Sequence, residues 1–152
     1  MPKFLSNRDW NLIQHINAEL SEEIIQVNMI LWKLVIADSN TNVYGEGTIK
    51  QRYEPVELTG FIDYPEKTVV SDGMIGIDSK QNPQFRFVRE ILRKKEVYPE
   101  TGDIIGYNEI YYEINNVQEV QLIATRPDLN HSIICDTHMT RKDVLQIEPR
   151  QI

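Results

Sequence analysis

The sequence predicts a mainly β (α+β) fold: a small antiparallel β-barrel or sandwich, an N-terminal amphipathic helix in front of it, and one long loop excursion. Three observations predict it. Apolar runs of about five to eight residues follow one another through the chain, punctuated by Gly, Pro, Asn and Asp. Strand and helix patterns do not alternate, which argues against a doubly wound parallel sheet. Residues 102–114, GDIIGYNEIYYEI, set two apolar runs about a tight polar break and read as a hairpin.

The totals suit one domain over residues 1–152, with the helix at 7–25 and a barrel core over 27–150 that carries the excursion 65–83. A composition 41% hydrophobic and 26% charged is that of an ordinary globular chain. Its one cysteine, Cys135, excludes an internal disulfide. The N-terminal MPKFLSNRDW lacks the apolar core of a secretory signal, and no run approaches the ~20 apolar residues of a membrane span. A soluble protein of cytosolic origin, without a membrane partner, is expected.

Element by element, Ser6 followed by Asp9 marks a helix start. Trp10, Ile13, Ile16 or Asn17, Leu20 and Ile24 then recur at three and four, which predicts the buried stripe. VNMILWKLVIAD follows as a near-continuous apolar run. As a strand it places Ile30, Trp32, Leu34 and Ile36 on one face, with Lys33 on the other; a helix continued to about residue 36 fits its period too. SNTNVYGEG is turn chemistry, and VELTGFIDY alternates Val56, Leu58, Gly60 and Ile62 against Glu57, Thr59, Phe61 and Asp63. The segment 65–83 has little to bury and reads as a mobile loop. QFRFV is a strand running into a short basic helix, REILRKK. In the hairpin, Ile105, Tyr107, Ile110, Tyr112 and Ile114 share one face if Asn108-Glu109 keeps register, with Tyr111, Glu113 and Asn115 turned away. VQEVQLIA, HSIIC and VLQI complete the strands.

Chemistry is sparse. His131, Cys135 and His138 are the nearest approach to a zinc site, but structural zinc takes four ligands and no second Cys is present; His15 lies on the helix flank. Asp72–Asp78 lacks the alternating oxygen ligands and terminal Glu of a calcium loop. Gly45-Glu46-Gly47 opens no helix, and no serine sits in a GxSxG setting. No cofactor is expected, and no enzyme.

Net charge is −7, against a dedicated phosphate-backbone binder. The charge is uneven. Arg86, Arg89, Arg93, Lys94 and Lys95 stand against Glu90 alone, whereas residues 96–121 hold Glu96, Glu100, Asp103, Glu109, Glu113 and Glu119 with no base. Two electrostatically opposite faces are expected, as in a subunit that docks head to tail.

Several segments, in order, resemble the neck proteins of contractile-tailed bacteriophages, of the head-closure (stopper) type. They are TNVYGEGTIKQRYEPVELTGFIDYP, GMIGIDSKQNPQFRFVREIL, YPETGDIIGYNEIYYEINNVQEVQ and HSIICDTHMTRKDVLQIEPR, with an acidic helix before them. The most specific pieces are Asn42–Glu46 and the GDII…YYEI hairpin. The resemblance implies a β-barrel virion subunit forming a ring, typically a hexamer, assembled in the host cytoplasm. Such a ring sits in the head–tail neck between the portal-adaptor protein and the tail terminator protein, and genomic DNA passes through its lumen without specific binding. On that reading the ring contact uses Arg86, Arg89, Arg93, Lys94 and Lys95 against an acidic face of the next subunit. A channel loop uses Gly73 and Gly76 as hinges, Asp72 and Asp78 as like charge toward DNA, and Met74, Ile75 and Ile77 as an apolar plug. Two other classes stand beside it: a small β-barrel module binding nucleic acid or peptide through the basic run, and a zinc hydrolase using His131, Cys135 and His138.

Overall fold

The run Val56–Asp63 has one residue without a side chain, Gly60, and the architecture turns there. In the computed structural model, which describes residues 6–25, 27–35, 40–41, 47–49, 52–65, 68–72, 76–80, 82–121 and 130–140, this run is two strands, β4 (Val56–Thr59) and β5 (Phe61–Asp63). Before them come helix α1 (Asn7–Glu19), continued by a π-helical turn Leu20–Ile25, then β1 (Asn28–Trp32), β2 (Asn40–Thr41) and β3 (Gly47–Ile49). After them come β6 (Thr68–Asp72), β7 (Gly76–Lys80), β8 (Gln84–Val88), helix α2 (Arg89–Lys94), β9 (Ile104–Tyr107), β10 (Ile110–Gln121) and β11 (Asn130–Thr140).

Seven strands form one antiparallel sheet in the order β4-β1-β9-β10-β11-β8-β5. Its outermost strands, β4 and β5, are neighbours in the chain with only Gly60 between them, so the sheet closes on itself as a barrel. Gly60 touches both sides of the seam. Its N–H donates to Val27 O at 3.2 Å, on the β1 side. On the β8 side, a Cβ built there would lie 2.8 Å from Arg86 O and 3.0 Å from Phe87, and it would also meet Met29 at 2.9 Å. Only glycine permits that approach.

The barrel is filled by Met29, Leu31, Leu58, Phe85, Phe87, Leu92, Ile105, Tyr112, Ile114, Ile133 and Cys135. The alternation of Val56, Leu58, Gly60 and Ile62 toward the inside is as the sequence predicts; Leu58 and Gly60 are buried and Glu57 and Asp63 exposed. Residues 28–32 are strand, not continued helix, but with the other face inward. Met29 and Leu31 are buried, and Ile30 and Trp32 only half so. Pairing with β4, Met29 opposite Leu58, sets that phase. Trp32 instead lies outside across Gly106, where a Cβ would come within 2.6 Å of its ring, and meets the Tyr111 ring at 5.5 Å with the planes tilted by 53°.

The β9–β10 hairpin has the predicted register, Ile105 opposite Tyr112. Asn108 and Glu109 both take positive φ, 50° and 64°, the two-residue turn whose twist matches the strands. Ile105, Tyr112 and Ile114 are buried, Tyr107 half-buried, and Ile110 exposed where the turn leaves the barrel.

Two expectations fail. The α1 stripe is not the predicted one. Ser6 caps the helix as expected, accepting from Asp9 N at 3.2 Å, and Trp10 is buried. The other buried residues of the helix are Ala18 and Ser21, whereas Ile16, Leu20 and Ile24 are exposed. The helix approaches the outside of the barrel through its small residues, with Ala18 set among Val88, Ile91 and Phe61. The excursion 65–83 is likewise not an irregular loop. β6 and β7 pair as an antiparallel ribbon, Thr68 opposite Lys80 through Asp72 opposite Gly76. Among the described strands they pair only with each other. Residues 42–46, 73–75 and the strand predicted at VLQI lie outside the described residues.

Gly60→Ala should destabilise the protein by about 1–3 kcal/mol, as overpacking against backbone does. Urea unfolding reads it, and a neutral result would show that the seam can open. Tyr112→Ala should cost about 3–5 kcal/mol and Tyr111→Ala clearly less; equal losses in the same assay would contradict the register.

Candidate functional site

The basic run falls across the end of β8 and all of α2, because QFRFV ends on the buried pair Phe87-Val88 and REILRK buries Ile91 and Leu92. Its bases therefore point off the barrel beside α1. Between the two helices runs a cleft of about 710 Å³ lined by Trp10, Asn11, Gln14, Arg89, Arg93 and Lys94, with Glu90 and Asn130.

Two of the five bases are engaged within the chain. Arg89 Nη1 lies 3.1 Å from Glu119 Oε2, and Lys94 Nζ 3.2 Å from Glu22 Oε2, tying α2 to the helical segment in front. Glu119 also accepts from Tyr98 Oη at 2.8 Å and from Asn130 Nδ2. The expected separation into opposite charge faces is thus not what forms. The acidic run meets the basic run at Arg89–Glu119, because β10 and α2 flank the same edge of the molecule. Arg86, Arg93 and Lys95 remain exposed.

The histidines do not gather around Cys135. Cys135 is in the barrel core, where burial first, then Asp136 and Asp103, pushes its thiol up to about 12. His131 is under α1. Its Nε2 accepts from Asn17 Nδ2 at 2.8 Å, and its ring meets Trp10 edge-on at 6.4 Å. His138 donates through Nδ1 to Asn115 Oδ1 at 2.6 Å, at the β10 bulge between Ile114 and Asn116. His15 stands 4.0 Å from Glu90. Among the described residues no three His, Cys, Asp or Glu side chains are grouped to hold a metal. The described residues also include no helix long and apolar enough to cross a membrane.

Of the channel-loop residues, Asp72, Gly76, Ile77 and Asp78 are in the ribbon, with Ser71 opposite Ile77 and Val70 opposite Asp78. Gly73, Met74 and Ile75 lie outside the described residues. The expected hinge at Gly76 is instead a paired strand position, since the antiparallel ladder extends through it.

Sequence reasoning missed two groups. Asp103, counted with the surface acids, is buried; its carboxylate accepts from Leu34 N at 2.9 Å and Glu100 N at 2.8 Å. Burial raises its pKa, while those two amides and Lys33 oppose the rise. The second group is the exposed α1 ridge Leu12, Ile16, Leu20 and Ile24. Its signal was present: Leu12 never fitted the predicted stripe, and the Ala18/Ser21 side offered a smaller docking face.

No protein-family model and no curated protein matches the chain. A chain of the solved virion of a native gene transfer agent particle is similar at 11% identity, covering 74% of this chain and 93% of that one, with a TM-score of 0.43.

Burial, and secondarily Arg86, lowers the His131 pKa below its usual 6.5. A depressed folded pKa gives stability that is full above the unfolded value and lost as pH falls through the folded one. Lowering the pH from 7 to 5 should therefore reduce Tm more in the wild type than in His131→Asn. Parallel Tm curves would remove His131 from the acid sensitivity.

Proposed function

We propose that this chain is a structural protein of a phage-like virion: a ring-forming subunit of the neck that joins the DNA-filled head to the tail and closes the DNA channel. The observation that bears most on it is the β6–β7 ribbon, an arm that, among the described strands, pairs with none of a barrel already closed at Gly60. A two-stranded ribbon alone is marginally stable in water, so such an arm is suited to a place where neighbours support it. The ordered resemblance of four segments to stopper proteins supports the same assignment. In the proposed ring, the ribbon ends converge on the lumen, and Asp72 and Asp78 add no affinity for phosphates. The proposed neighbours are further copies of the chain, the portal-adaptor protein and the tail terminator protein. The protein acts without a cofactor and is not an enzyme.

A nucleic-acid or peptide module using the basic run is less well supported. Arg89 and Lys94 are already held by Glu119 and Glu22, which leaves a small cationic surface on a chain of net charge −7.

Arg93 and Lys95 are exposed, so reversing both to Glu should weaken ring assembly without unfolding the domain, as read by light scattering and electron microscopy. Lys94 is left in place because its loss would loosen Glu22. Deleting residues 73–75 should leave rings intact while filled heads lose DNA before tails join. Chains that stay monomeric at every salt concentration, or that locate away from the neck in purified virions, would overturn the proposal.

A further inference from the structure

The core of the barrel is complete without α1. Its buried side chains come from β1, β4, β8, β9, β10 and β11 and, through Leu92, from α2; none comes from residues 6–25. What α1 buries lies outside the barrel: Ala18 among Val88, Ile91 and Phe61, and Trp10 edge-on to His131 at 6.4 Å. Lifting α1 away therefore opens no cavity inside the barrel, the event that makes the loss of a core side chain costly.

The remaining ties of α1 are few and polar. Asn17 Nδ2 meets His131 Nε2 at 2.8 Å, and Gln14 Nε2 reaches Asn130 O only at 3.4 Å. The Lys94–Glu22 pair is 3.2 Å long between side chains 48% and 32% exposed, and His15 stands 4.0 Å from Glu90. Ion pairs so open to solvent add little. Ser21 counts against docking, since its hydroxyl is fully buried and meets no hydrogen-bond partner. Clefts flank the helix on both sides. One of about 710 Å³ separates it from α2, and one of about 350 Å³ lies toward β5 and β8, lined by Asn17, Phe61, Arg86, Val88, His131 and Ser132 among others. Close packing, which holds the barrel core rigid, is absent along both edges of α1.

Firm attachment starts where the helical segment has ended. Among the described residues, the first backbone–backbone hydrogen bond from the chain's start to the barrel is made by Val27 O, which accepts from Gly60 N at 3.2 Å. Ahead of it lie only the contacts above. A helix of 13 residues is marginal in water by itself, so α1 released from the barrel also loses its own hydrogen bonds.

We propose that residues 7–25 form a strap that opens as one unit from a barrel that stays folded, pivoting ahead of Val27 and baring Phe61, Val88 and Ile91. Closed, the strap shields that apolar patch; open, it makes the patch available. The barrel with α2 is the frame, and α1 is its movable part. The device goes beyond the neck assignment and does not rest on it.

Native-state hydrogen exchange of the full-length protein tests it. The amides of Ile13 to Ala18 should exchange at least about tenfold faster than those paired between β10 and β11, and with a shallower urea dependence, because strap opening exposes less surface than unfolding. Ile133→Val weakens the barrel core and should speed exchange in β10 and β11 several-fold while leaving α1 unchanged. Asn17→Ala should speed α1 several-fold. Thiol reactivity gives a second reading. In Ser21→Cys the new thiol sits on the strap, whereas Cys135 lies inside the barrel and reacts only on global unfolding. Relative to the unfolded chain, iodoacetamide should modify the strap thiol at least about tenfold faster than Cys135. Exchange of α1 at the rate of the barrel, an equal acceleration of both by Ile133→Val, an α1 indifferent to Asn17→Ala, or equal modification of the two thiols would each overturn the inference.

Discussion

The closure of the sheet at Gly60 is the constraint on which the other parts depend. One residue serves two strands: its amide reaches Val27 O beside β1, and its bare Cα admits Arg86 O of β8. Because β4 and β5 leave Gly60 toward opposite ends of the strand order, a seven-stranded sheet loses its two free edges at once. The seam also fixes which residues enter the core. Pairing β1 to β4 turns Met29 and Leu31 inward and sends Trp32 outside, where it meets Tyr111 across Gly106.

With the barrel closed, α1 has the outer surface to occupy, whereas α2 also sends Leu92 into the core. Their attachment combines a small apolar contact with polar ties: Ala18 among Val88, Ile91 and Phe61, Asn17 on His131, and Lys94 on Glu22. Such a helix is held in place without covering its own aliphatic ridge. Large apolar side chains on the solvent side are costly for a lone monomer and useful for a protein that works in contact with others. The same economy governs the charges, since Arg89 and Glu119 satisfy each other at 3.1 Å and reduce the surface available to external partners.

The ribbon β6–β7 contrasts with the barrel. Its strands pair with each other alone among the described strands, and in the sequence only Gly73, Met74 and Ile75 separate them. The ring subunit proposed above would benefit from this division. The closed barrel supplies a rigid frame, and arms and ridges outside it can take their final support from neighbours.

Period-two alternation in Val56–Ile62 and Ile105–Ile114, the cap at Ser6, and the turn at Asn108 were legible in the sequence because they rest on interactions within a few residues of one another. The mainly β class followed from those local signals alone. Barrel rather than sandwich was decided by tertiary structure, since closure depends on β1 and β8 reaching Gly60 from distant parts of the chain. The face of β1 that turns inward was decided the same way: both of its faces are apolar, and only pairing with β4 distinguishes them. In α1 the helix was evident but its buried side was not, because Ala18 and Ser21 gain from close approach to the barrel what hydrophobicity scales assign to Ile16 and Leu20. The basic and acidic runs were plain as composition, yet their meeting at Arg89–Glu119 required β10 and α2 to be brought together by the fold. Local periodicity fixes which residues belong to one element; only packing against other elements fixes which of its faces is inside.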